Sequence, residues 1–103
     1  MKVVFTTAPS QEASAIAETL LKARLVGCAN LIEGARSLYW WDGAIQDESE
    51  TLILMETPDE HTEAVMKMLY DVHPYDVPKI VFLEPERVND AYLDWLNAET
   101  QTS

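Results

Sequence analysis

The pattern of apolar and polar positions divides the chain into alternating strands and helices, with no internal repeat and no low-complexity run. Residues Lys2 to Ala8 are rich in β-branched side chains and stop at Pro9, which predicts a strand. Ser10 is placed to cap a helix in which Ala13, Ile16, Ala17, Leu20 and Leu21 recur at helical spacing, ending between Leu25 and Gly27. An extended stretch follows from Val26 to Trp41, with Gly34 as a bulge or bend. Asp42-Gly43 between apolar flanks is a tight-turn signal, so the chain doubles back as a hairpin with a return strand from Ala44 to Thr57. Pro58 opens a second helix whose one face carries Val65, Met68, Leu69 and Val72. His73-Pro74-Tyr75-Asp76-Val77-Pro78 breaks that helix. Lys79 to Glu84 predicts a last strand, and Asp90 caps a short C-terminal helix through Leu96.

The order β-α-β-β-α-β plus a terminal helix predicts an α+β, ferredoxin-like sandwich with a long hairpin, in a single domain over residues 1–103. Right-handed crossovers place both main helices on one face of the sheet and leave the other bare. Yet Val3-Val4-Phe5, Leu52-Ile53-Leu54-Met55 and Ile80-Val81-Phe82-Leu83 are apolar at both parities, so both faces call for burial. At about 25 cal/mol per Å² of apolar area, a wet face costs several kcal/mol, comparable to the whole stability of a small domain. Self-association follows as an expectation, reinforced by Tyr39, Trp40 and Trp41 at the tip of a hairpin longer than so small a sheet needs.

Charge narrows the partners. Seven basic residues face eighteen acidic ones, for a net charge of -11. Such a surface repels phosphate backbones and anionic lipid, so neither nucleic acid nor membrane is an expected partner, while cations are concentrated near it. The single cysteine, Cys28, excludes a disulfide framework within the chain and suits a reducing compartment. The apolar run at the N-terminus is too short for a signal peptide and no stretch is long enough to span a bilayer, so the expected location is the cytoplasm.

Five motifs, in order, resemble the CutA family of divalent-cation tolerance proteins. They are Thr6-Thr7-Ala8-Pro9, Leu25-Val26-Gly27-Cys28-Ala29-Asn30, Ser37-Leu38-Tyr39-Trp40-Trp41-Asp42-Gly43, His73-Pro74-Tyr75-Asp76-Val77-Pro78 and Tyr92-Leu93-Asp94-Trp95-Leu96. The resemblance implies a compact homotrimer, related in architecture to the PII signalling proteins, whose sheets pack inward and whose hairpins pair with adjacent subunits. It also implies a link with tolerance to copper and other divalent ions. Some relatives carry Cys where this chain has Thr6 and a second His where it has Val72, positions associated with copper; many carry Lys at the position of Glu56.

The candidate metal ligands are His73, Cys28 and Asp76. A neutral imidazole at His73 is a good ligand for copper or zinc, with Asp71 and Asp76 close in sequence. The plain alternative is that His73 ends its helix and hydrogen-bonds a carbonyl. Cys28 in an apolar strand is expected to be a buried small hydrophobe, although copper(I) seeks such a thiol. Asp47, Glu48 and Glu50 read as a solvated acidic edge of the hairpin, and Asp59, Glu60 and Glu63 around His61 as first-turn charges complementing a helix dipole.

Tyr39, Trp40, Trp41, Tyr75 and Trp95 are interface aromatics or the walls of an intersubunit cleft. No phosphate loop, nucleophile-base pair or paired-cysteine metal motif is present, so no enzymatic activity and no essential cofactor are expected. The leading expectation is a homotrimer that binds copper or another divalent cation weakly. Two rivals stand beside it. One is a PII-like trimer binding a small metabolite between subunits, with Arg24, Arg36 and Lys79 as its anion partners; the other is a partner-binding scaffold.

Overall fold

In a computed structural model, which describes residues 1–101, four strands and three α-helices follow one another as the sequence pattern requires. They are β1 (Lys2–Ala8), α1 (Ser10–Lys22), β2 (Cys28–Trp41), β3 (Ala44–Thr57), α2 (Thr62–Val72), β4 (Val81–Leu83) and α3 (Asp90–Glu99). The strands form one sheet in the order β2-β3-β1-β4, with every neighbouring pair antiparallel. This is the ferredoxin-like arrangement, in which β1 and β2 are separated by β3 and each crossover carries a helix.

Register explains the layering, because residues directly opposite each other share a face. Val4, Thr6 and Ala8 of β1 face the same side as Thr51, Ile53, Met55 and Thr57 of β3, and all are buried. Ala13, Ile16, Ala17 and Leu20 of α1 and Val65 and Leu69 of α2 close over them to make the core. The alternate residues Val3, Phe5, Leu52 and Leu54, with Ile32 and Leu83 at the sheet's edges, lie on the opposite face. Ile32 is 49% exposed and Leu83 50%, so that face is unfinished in the single chain.

Several boundaries differ from the sequence expectation, each for a local reason. Ser10 does not cap α1: Pro9 holds the N-cap position, its carbonyl accepts the Glu12 N–H at 2.9 Å, and the Ser10 hydroxyl lies 2.9 Å from that of Thr51. Helix α1 ends at Lys22, not between Leu25 and Gly27, because Arg24 turns left-handed at φ 60°. The Leu25 N–H then donates to Leu20 O and the Arg24 N–H to Leu21 O, a Schellman closure. A non-glycine residue there costs roughly 1–2 kcal/mol, of which the exposed pair between the Arg24 guanidinium and Glu99, at 3.0 Å, offsets only a part.

Strand β2 accordingly starts at Cys28. Strand β4 is shorter than 79–84, because only Val81, Phe82 and Leu83 pair with β1, opposite Phe5, Val4 and Val3. Pro58 leads into a 3-10 turn, Asp59–His61, before α2 begins at Thr62. Helix α3 starts with Asp90 inside the helix, after Asn89 in the N-cap position, and runs to Glu99.

The hairpin is the long axis of the molecule. The β1–β3 ladder ends at Ala8 and Thr51, so residues 35–41 and 44–50 project as a two-stranded arm, about 23 Å at 3.3 Å per residue. Gly34, at φ 79°, sits in the irregularity between Ile32 and Ala35 and lets the arm bend away from the sheet. Gly43 and Asp42 take the two positive-φ positions of the turn.

At the other end, α3 seats on Gly27: a Cβ there would lie 2.5 Å from Leu96 Cδ1 and 3.3 Å from the Trp95 ring. Gly27→Ala should therefore lower stability by about 1–3 kcal/mol through overpacking. Urea unfolding followed by circular dichroism would register the loss as a lower midpoint with an unchanged slope.

Candidate functional site

A cleft of about 530 Å³ opens where the arm leaves the sheet. Its lining includes Tyr39, Trp41, Glu48, Glu50, Tyr75 and Asp76. Three elements supply them. Tyr39 pairs with Gln46 and Trp41 with Ala44, so both aromatic rings share the face of the arm that carries Gln46, Glu48 and Glu50. The segment after α2 brings Tyr75 and Asp76 against that face, and Lys79 and Thr7 complete the boundary.

His73 fixes that segment. Its Nε2–H donates to the Thr7 carbonyl at 2.9 Å, which makes Nδ1 the acceptor for the Tyr75 N–H at 3.2 Å. The ring is buried and packs against the Tyr75 ring with centroids 4.8 Å apart. Both ring nitrogens are thus engaged within the chain, and the residue works as a buried strut between β1 and the loop.

Tyr75 in turn donates its hydroxyl to Glu50 Oε2 at 2.7 Å. Glu50 is only 5% exposed, so it is no part of a solvated acidic edge. Asp47 and Glu48 are exposed, and Asp47 holds Arg36 through two hydrogen bonds of 2.9 and 2.7 Å on the opposite face of the arm. Burial, followed by the neighbouring Glu50 carboxylate, pushes the Tyr75 phenol well above its ordinary value. Partial burial and then Glu48 do the same for Tyr39.

The predicted metal ligands fall in different places. Asp76 lines the cleft, and His73 stands behind it. Cys28 is opposite Glu56, which is opposite Val3, whereas His73 bonds Thr7; four residues of β1 span about 13 Å, too far for a shared ion. Cys28 is also not the buried apolar residue expected of it. It is half-buried at the start of β2, 3.8 Å from Asn30 Oδ1, beside a Glu56 that accepts the Tyr92 hydroxyl. Among the described residues, no three His, Cys, Asp or Glu side chains converge to hold a metal.

The aromatic candidates divide as well. Trp40 is across from Ile45 on the face of the arm away from the cleft and is 72% exposed. Trp95 lies on α3, tilted against Tyr92 with centroids 5.5 Å apart. Of the three expected anion partners, Arg24 is tied to Glu99 and Arg36 to Asp47, and Lys79 alone reaches the cleft. Around His61, Asp59 and Glu60 stand in the first turn of the 3-10 helix and Glu63 in the first turn of α2. Asp59 pairs with Lys2 and the N-terminal ammonium, and His61 Nε2 is 3.1 Å from the Thr100 carbonyl.

The family model described as CutA1 divalent ion tolerance protein matches residues 2–99. The chain belongs to the CutA1 family. The divalent-cation tolerance protein CutA of Pyrococcus horikoshii is 41% identical over 102 residues, covering 98% of this chain and 99% of the relative. That of Pectobacterium atrosepticum is 39% identical over 97 residues, covering 93% and 88%. The crystal structure of CutA1 from Ehrlichia chaffeensis superposes with a TM-score of 0.94 at 29% identity, covering 98% of this chain and 95% of that one.

In this CutA1 chain, then, the cleft is also lined by Thr7, which carried no expectation as a site, and by Glu48 and Glu50, which were read as a solvated edge. The signal available in sequence was parity: Glu50 lies in phase with Leu52 and Leu54, on the face that lacks helices. Tyr75→Phe removes the phenol donor and leaves a buried carboxylate with one partner fewer, so it should cost about 1–3 kcal/mol. Because the folded phenols of Tyr75 and Tyr92 are raised, their contribution to stability is complete below pH 10.0 and declines as pH climbs above it. Thermal unfolding between pH 8 and 12 should show that decline in the native chain and a shallower one in Tyr75→Phe.

Proposed function

We propose that this chain serves divalent-cation tolerance as a cytoplasmic homotrimer that takes up copper or another divalent ion weakly and catalyses no reaction. The observation that carries the assembly is the sheet face bearing Val3, Phe5, Leu52, Leu54 and Ile32, which no helix of the same chain covers fully. The arm adds to it, with Leu38, Trp40 and Ile45 each at least 60% exposed along one face. A second copy offers the same surfaces, and closed rotational symmetry lets every subunit bury them equally.

Weak uptake fits the donor set. A tight site requires three or four converging ligands, and the carboxylates and single thiol among the described residues of one chain do not supply them. The net charge of -11 raises the local concentration of cations over the whole surface, and association brings donors of neighbouring subunits together. His73 supports this indirectly, by holding the loop that positions Asp76.

Native mass spectrometry of metal-free protein through a copper(II) titration tests both parts. The expected result is a discrete trimer that takes up a fixed number of ions per chain. A monomer, or a trimer with an unsaturating ladder of adducts, would overturn the proposal.

A further inference from the structure

The cleft has a chemical character of its own. Three aromatic rings, those of Tyr39, Trp41 and Tyr75, share it with the carboxylates of Glu48, Glu50 and Asp76. The one basic residue at its boundary, Lys79, has its ammonium 5.7 Å from the Phe5 ring centroid. Trp41 is 54% exposed, a large apolar surface left open beside three anionic groups. The volume of about 530 Å³ falls within the range of small-molecule sites.

We propose that this cleft binds a small organic cation, an amine or quaternary ammonium of a few carbons, with its charge over the rings of Tyr39, Trp41 and Tyr75 and facing the carboxylates. Each competing ligand class is disfavoured by something in the same place. An anion would meet three carboxylates and one ammonium. A bare divalent ion requires converging oxygen donors, and no such group exists among the described residues. One oxygen of Glu50 is moreover already committed to the Tyr75 hydroxyl. A fully apolar molecule would bury the carboxylates without compensation.

An alkylammonium suits the mixture, because aromatic faces attract its charge, a quaternary one being in addition weakly hydrated and a primary one able to donate hydrogen bonds to the carboxylates. The wall is also preorganised: Tyr75 is held by Glu50 and by the His73 ring, and Gln46 donates to the Trp41 carbonyl at 3.2 Å. Little ordering remains for a ligand to bring about. The inference does not rest on the metal reading, since every group it uses belongs to one chain and none need bind an ion.

The test is calorimetric titration of the purified assembly with choline and with putrescine, beside 3,3-dimethylbutan-1-ol, the uncharged carbon analogue of choline. We expect saturable binding of at least one of the two cations, one per chain, and no saturable binding of the uncharged analogue. Trp41→Ala should weaken the cation roughly 2- to 30-fold, the range of one cation–aromatic contact. Glu48→Gln, which keeps the shape and removes the charge, should also weaken it, and it carries the test alone if Trp41→Ala does not fold. Trp40→Ala, on the other face of the arm, should leave the affinity unchanged. Failure of both cations to saturate, equal binding of the uncharged analogue, or unaltered affinity in Glu48→Gln would each overturn the inference. The first of these is also the outcome if a neighbouring subunit fills the cleft.

Discussion

A strand shows alternate residues to opposite faces, and in this molecule two crossover helices cover only one of them. Most of the architecture answers that constraint. Under α1 and α2, Val4, Ile53 and Met55 are fully enclosed. On the other side, Phe5, Leu52 and Leu54 are finished only in part by the chain itself, by α3 at one end and the loop after α2 at the other. The hairpin arm extends the same imbalance outward, carrying Leu38, Trp40 and Ile45 on one face and Tyr39 and Trp41 on the other.

The loop after α2 is where this imbalance acquires chemistry. Glu50 belongs by parity to the open face, and a lone carboxylate there would stay hydrated. The loop instead lays Tyr75 over it, and His73 anchors the loop to the carbonyl of Thr7. Tyr92 from α3 treats Glu56 in the same manner, six residues further along the same strand. Two tyrosines reaching two in-phase glutamates thus close the two ends of one sheet face. Burial beside a carboxylate holds both phenols protonated far above neutrality, so these contacts do not respond to ordinary changes of pH.

Much of the fold was legible in the sequence because its signals were local and strong. Asp42-Gly43 marked the hairpin, Pro9 marked the end of the first strand, and the double parity of 52–55 marked a sheet wanting cover on both sides. Boundaries that depended on distant partners were not legible. Arg24 ends α1 in a left-handed conformation without a glycine, its side chain meeting Glu99 far down the chain, and α3 runs past Leu96 to a carbonyl end that meets residues far upstream. The candidate site divided in the same way. Tyr39, Trp41, Tyr75 and Asp76 were recognisable as residue types in a suggestive order, and the cleft unites them. Glu50 was legible only through its parity with Leu52 and Leu54, since its burial involves a tyrosine that lies 25 positions away. The separation of Cys28 from His73 is likewise a matter of register, which composition does not encode.

The carbonyl end of α3 is held from elsewhere in the chain. Arg24, just past α1, donates to the Glu99 carbonyl at 3.0 Å, and His61, in the 3-10 turn before α2, reaches that of Thr100. Leu96 meanwhile occupies the space that Gly27 leaves vacant. The receiving surface is therefore composite, drawn from three places in the chain, and it does not exist until α1, the start of β2 and the turn before α2 are already in place. A helix of ten residues is marginal in isolation. The C-terminal helix accordingly owes its place to the rest of the fold and not to its own propensity, and it is by docking there that Tyr92 and Trp95 come to pack on each other and on the start of β2.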